Sequence, residues 1–100
     1  MPSFKTAVSH ELGKDEAAQR LKGLLDKVRS RYQGQVSDLE ESWEGDTLKY
    51  SFKTYGFKIK GEVEVAEENV ELRGDLPIAA MPFKGRIEKT ISEEVEKVLA

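Results

Sequence analysis

The sequence has no cysteine. That absence excludes disulfides and thiolate chemistry, and it suits a reducing compartment such as the cytosol. Histidine is nearly absent too: His10 alone could supply an imidazole. No nucleophile or orienting carboxylate is spaced to work with it, so His10 reads as a structural residue at a strand end. No apolar run approaches the ~20 residues of a membrane-spanning helix. The opening Met1-Pro2-Ser3-Phe4-Lys5 lacks the apolar stretch of a secretory signal. An excess of positive charge is also missing: 16 Lys and Arg against 19 Asp and Glu give −3, which provides no general attraction to nucleic acid or anionic lipid. No glycine-rich phosphate loop occurs, because Gly56 and Gly61 fall in a hairpin and a strand rather than before a helix. Nothing in the spacing implies a metal or a cofactor.

What remains is a well-patterned chain. One hundred residues, 38% hydrophobic and 35% charged with both signs mixed, suit a single domain over residues 1–100 built on one core. Residues 3–10 read as a strand with Phe4, Thr6, Val8 and His10 on one face. Gly13 and Gly34 bound a helix whose apolar stripe is Ala17, Leu21, Leu24, Leu25, Val28 and Tyr32. Residues 36–76 then alternate apolar and polar through four strands. With turns at Gly45-Asp46, Tyr55-Gly56 and Glu67-Glu68, two-residue hairpins set Trp43 opposite Leu48, Phe52 opposite Ile59, and Val63 opposite Leu72. The same registers give the sheet one apolar and one charged face, with Lys49 beside Glu62 and Lys60 beside Asp75. Pro82 suits the first position of a last helix, which carries Phe83, Ile87, Ile91, Val95, Val98 and Leu99 on one stripe. Its remaining residues, Glu88, Lys89, Glu93, Glu94, Glu96 and Lys97, read as surface. The expected fold is α+β in two layers, ordered β-α-β-β-β-β-α, with a curved antiparallel sheet packed on one face by two helices.

One row of the inner face departs from plain core. The registers align Glu41, Tyr50, Gly61 and Gly74 across the four strands, and facing glycines leave volume. Two readings follow: the glycines let the sheet coil and make room for the Tyr50 ring, or Glu41, Tyr50, Gly61 and Gly74 line a ligand cleft under the last helix. On the other face Lys49, Lys53, Lys58 and Lys60 cluster around the Tyr55-Gly56 hairpin, with Lys53 opposite Lys58. They form either an anion patch or a solvated edge that discourages aggregation. Glu40-Glu41 and Glu67-Glu68 are adjacent carboxylates, but neighbours along a strand face opposite sides and turn residues face solvent, which is wrong for shared acid/base work or metal chelation.

Several short pieces of the chain are familiar together. His10-Glu11-Leu12, Trp43-Glu44-Gly45-Asp46-Thr47-Leu48, Gly56 with Gly61, Leu76-Pro77 and Phe83-Lys84-Gly85-Arg86-Ile87-Glu88 resemble the putative polyhydroxyalkanoic acid system protein family across nearly the whole sequence. The resemblance implies a cytoplasmic bacterial protein, associated with polyester granules or their proteins, with no enzymatic residues to carry over. The strand order is also similar to a reduced helix-grip, START-like fold, whose members hold apolar ligands between the sheet and the C-terminal helix; fold analogy alone does not assign function. The expectation is therefore a non-enzymatic accessory or binding protein of the granule system, without a cofactor. The alternative is a small apolar-ligand carrier using the cleft beneath the last helix. An enzyme relying on Glu41 and Tyr50 is least supported, and self-association through the sheet edges or outer face is open.

Overall fold

Three tight turns organise the sheet. Gly45 has φ 59°, as the first position of a type II′ turn requires, while Tyr55 and Gly56 have φ 54° and 79°, the paired positive values of a type I′ turn. Ala66 N–H donates to the Asn69 carbonyl (2.9 Å) around Glu67-Glu68. A computed structural model describes residues 3–100. These turns join strands β2 (Val36–Glu44), β3 (Thr47–Thr54), β4 (Phe57–Val65) and β5 (Asn69–Asp75). Strand β1 (Ser3–Ser9) pairs antiparallel with β5, giving a five-stranded sheet in the order β1-β5-β4-β3-β2. The expected pairs are present: Trp43 with Leu48, Phe52 with Ile59, and Val63 with Leu72.

The helices cover the inner face. The segment between Gly13 and Gly34 forms two helices, α1 (Lys14–Leu21) and α2 (Leu24–Arg31), separated at Lys22-Gly23. The apolar spacing runs through the break, so both helices bury the same stripe: Ala17 and Leu21, then Leu24 and Leu25. The break lets α1 lie against β4 and α2 against β2, a spread that one straight helix could not cover. Pro82 does not open the last helix. It lies inside a 3₁₀ turn (Ile78–Phe83), and α3 (Lys84–Leu99) begins two residues later. Proline's fixed φ fits the 3₁₀ conformation, and the Lys84 N–H closes the end of the turn onto the Met81 carbonyl.

The packed interior has two parts. The larger contains Leu21, Leu25, Leu48, Tyr50, Val63, Leu72, Val95 and Val98. The smaller, at the 3₁₀ end, contains Phe4, Ile59, Leu76, Ala80 and Ile87, with Phe57 and Phe83 packed on it. Residues such as Leu21, Leu48 and Leu72 have no exposed surface, and each such side chain contributes about 2 kcal/mol of burial. His10 clasps the structure at the far end of β1: its Nε2 lies 3.0 Å from the Ala66 carbonyl, and Leu12 N–H donates to Nδ1 at 3.2 Å. At the opposite edge, Lys22 Nζ sits 5.9 Å from the centre of the Trp43 ring.

Candidate functional site

The sheet and helices leave an apolar gap, of about 100 Å³, between α2, α3 and the inner face of β2 and β3. Leu25, Val28, Leu39, Phe52, Ile91 and Val95 wall it, each supplied by the apolar stripe or alternating face of its own element. Tyr50 contributes its ring, which stacks on Phe52 with centroids 6.0 Å apart. The Tyr50 hydroxyl donates to the Arg73 carbonyl at 3.1 Å. Burial, followed by the nearby charge of Asp75, pushes this phenol well above its ordinary range, so Tyr50 stays neutral.

The four residues of the inner row keep their predicted alignment, Glu41 with Tyr50, Tyr50 with Gly61, and Gly61 with Gly74. Their surroundings separate them. A Cβ at Gly61 would meet the Tyr50 ring and the Arg73 carbonyl, and one at Gly74 would meet the Phe4 ring. The volume freed by the glycines is thus filled by aromatic side chains. Glu41 is exposed, on the edge strand β2. Of the row, Tyr50 reaches the gap under α3, whereas Glu41, Gly61 and Gly74 do not line it.

Those residues meet the lysines elsewhere. Glu41, Gly61 and Gly74 border an open hollow of about 960 Å³ on the outer face, together with Lys49, Lys58, Lys60, Glu62, Arg73 and Asp75. Charges of both signs line it. Lys49 pairs with Glu44 (2.8 Å), and Arg73 bridges Glu62 (3.2 Å) and Glu64 (2.9 Å). Lys53 and Lys58 do stand opposite each other, and Lys53 finds Asp38 at 3.3 Å. Carboxylates of the chain itself therefore answer two of the four lysines, Lys49 and Lys53, and exposed pairs of this kind add little to stability.

The most unusual polar group lies at the rim of the apolar gap. Glu94, expected on the surface of the last helix, is buried, with 5% of its side chain exposed. Arg31 Nη1 donates to both of its oxygens, at 2.6 and 2.5 Å, and the Tyr32 hydroxyl donates at 3.1 Å. Burial alone would raise the Glu94 pKa. The hydrogen bonds from Arg31 and Tyr32, with the charges of Arg31 and Lys97, outweigh it and hold the carboxyl below its ordinary value. The Tyr32 hydroxyl is shifted upward, by burial first and by its bond to Glu94 second. This cluster ties the end of α2 to α3 across the mouth of the gap. The sequence carried a signal for it: Glu94 falls seven residues after Ile87 and four before Val98, at a position of the apolar stripe.

The sheet gripped by helices thus encloses an apolar gap with an ion pair at its mouth. Among the described residues, no group of three or more His, Asp or Glu is placed to hold a metal. The sequence model of the family described as "Putative polyhydroxyalkanoic acid system protein" matches residues 5–99, and the chain belongs to that family. No curated protein matches it. Among solved structures, TTHA0849 from Thermus thermophilus is similar at 17% identity, over 98% of this chain and 92% of that one, with a TM-score of 0.41. Ara h 8.0201 is similar at 10% identity, over 98% and 97% of the two chains, also with a TM-score of 0.41. No helix among the described residues is long and apolar enough to cross a membrane.

Proposed function

We propose that the protein is a non-enzymatic binding component of the polyhydroxyalkanoate system, acting at the polyester granule or on one of its proteins, and that the gap under α3 takes a short apolar chain. The observation that carries this reading is the gap itself: apolar walls, with its one buried carboxylate, Glu94, already neutralised by Arg31. Family membership supplies the setting. A cavity of about 150 Å³ accommodates benzene, so 100 Å³ corresponds to about four carbons. That is the size of one short hydroxyacyl unit and far below a long-chain fatty acid. Arg31 is half-exposed at the mouth. Its guanidinium has five N–H donors, of which Glu94 takes those on Nη1, and the others suit an ester carbonyl or terminal carboxylate.

No reaction is assigned to this site. A carboxyl held ionised by an arginine is a poor general acid, and a phenol kept neutral by burial is a poor base. The test is a titration of the protein with short 3-hydroxyacid oligomers and with a long-chain fatty acid, followed through the methyl signals of Val28, Ile91 and Val95. Short oligomers should shift these signals saturably, and Val28→Phe, which fills the gap, should abolish the shift. Absence of any shift with short oligomers refutes the cleft. For the setting, the protein should float with isolated polyester granules at low salt, and recovery solely in the soluble fraction refutes the granule association.

A further inference from the structure

At the 3₁₀ end of the molecule, large apolar side chains face solvent beside a concentration of positive charge. Ile78 is 75% exposed, Tyr55 46% and Met81 45%. The first and last sit on the outward side of the 3₁₀ turn whose Ala80 is packed inside. Tyr55 stands at the tip of the β3–β4 hairpin and stacks on Phe83, centroids 4.7 Å apart and planes 10° from parallel. The two segments so joined, residues 53–60 and 76–87, contain Lys53, Lys58, Lys60, Lys84 and Arg86 and no Asp or Glu. Asp38 answers Lys53. Asp75 lies opposite Lys60, so Lys58, Lys84 and Arg86 carry the positive charge of this end in a chain whose net charge is −3.

Tyr55 adds an independent indication. Its φ of 54° is a left-handed value that Asn, Asp or Gly adopts at much lower cost in a type I′ turn. A tyrosine kept there at a conformational cost, nearly half-exposed, fits a contact residue better than a turn residue.

We propose that this end is a docking surface for an anionic lipid layer; Tyr55 and Arg86 also border the gap under α3, whereas Ile78, Met81, Lys58 and Lys84 lie outside it. The apolar groups ride on a hairpin tip and a one-sided 3₁₀ turn, projections that enter a fluid interface, with Tyr55 at the depth where amphipathic rings sit and the cations at headgroup level. A second copy of the chain is disfavoured as the occupant, because two such cationic rims brought together repel. The net negative charge makes attachment reversible and dependent on orientation, and salt weakens it.

The experiment is co-sedimentation of the full chain with vesicles of phosphatidylcholine alone and of phosphatidylcholine with an equal part of phosphatidylglycerol. The protein should pellet with the anionic vesicles at low salt and remain in solution with the neutral ones. Each cation near the surface strengthens binding by about fivefold, so Lys58→Glu with Lys84→Glu should weaken partitioning by roughly 25-fold or more. Ile78→Ser with Met81→Ser alters exposed side chains, leaves the circular dichroism unchanged, and should also abolish pelleting. Val28→Phe, which fills the gap, should pellet like the unmodified chain, so failure of the cleft and failure of this surface are distinguishable. Pelleting that is absent, equal on neutral vesicles, or untouched by both double variants overturns the proposal. So does a dimer in sedimentation analysis that Ile78→Ser with Met81→Ser dissociates, which would assign the surface to a second copy.

Discussion

Removing Arg31 should destabilise the protein more than removing the carboxylate that it holds. The two partners are unequally buried, with 47% of the Arg31 side chain exposed against 5% of Glu94. In Glu94→Gln, the guanidinium turns into water and the Tyr32 hydroxyl keeps an acceptor, so the loss is about 1 kcal/mol or less. In Arg31→Ala, the carboxylate stays buried, with the Tyr32 hydroxyl and with Lys97 Nζ at 3.8 Å. Breaking a fully buried pair costs about 3–5 kcal/mol. The exposure of Arg31 and the remaining Lys97 reduce this to about 2 kcal/mol, or roughly 8–16 °C in Tm for a domain of this size. The pH dependence carries a second signature. The Glu94 pKa in the intact fold lies below its ordinary 4.5, so its contribution is present above that value and is lost as the pH falls through the folded pKa. Urea unfolding at neutral pH and near the carboxylate range would follow both effects. The deficit of Arg31→Ala should shrink in acid, where Glu94 becomes protonated, and Glu94→Gln should lose part of the acid sensitivity. Arg31→Ala no worse than Glu94→Gln at neutral pH, or a deficit independent of pH, would refute the reasoning.

Gly61→Ala should destabilise by about 1–3 kcal/mol, because the added methyl meets both the Tyr50 ring and a backbone carbonyl. Combining it with Tyr50→Leu should recover part of that loss in thermal unfolding, and full recovery would show that the carbonyl contact is unimportant. His10→Leu leaves the Leu12 N–H without its acceptor and should cost about 1–3 kcal/mol. It should also speed hydrogen exchange of the Leu12 amide more than that of Val70 in mid-sheet, and uniform acceleration would contradict a local clasp.

The sheet was legible because its determinants are local. Gly45 and Tyr55-Gly56 set the turns, each turn sets a register, and alternation decides which face is buried. The helix break at Gly23 was hidden because the apolar stripe from Ala17 to Tyr32 continues across it, and periodicity reports a face without reporting continuity. Glu41 follows the inward alternation of β2, yet alternation does not say that the strand is an edge. Glu94 was masked by its neighbours Glu93 and Glu96, though its place on the stripe gave a clue. Its partner Arg31 lies on another helix, and no spacing rule links residues so far apart in sequence. The exposure of Ile78 and Met81 depends on which side of the 3₁₀ turn is packed, a tertiary matter. The gap exists only where α2, α3 and β3 fail to fill the space between them, which no single element encodes.

The irregular run of β2 bears on how copies of the chain could associate. Its pairing slips between Ser37 and Glu40, Asp38 adopts φ 52°, and Glu40, Glu41 and Glu44 are exposed along the strand. A kinked, acidic margin is a poor template for an incoming strand. Indefinite growth of an open sheet needs two usable margins, and of the two here β1 is the one regular throughout its pairing. Two chains meeting through β1 would close on each other about a twofold axis, leaving a blunted β2 at either end. Edge association of this kind would terminate at a pair rather than grow into filaments.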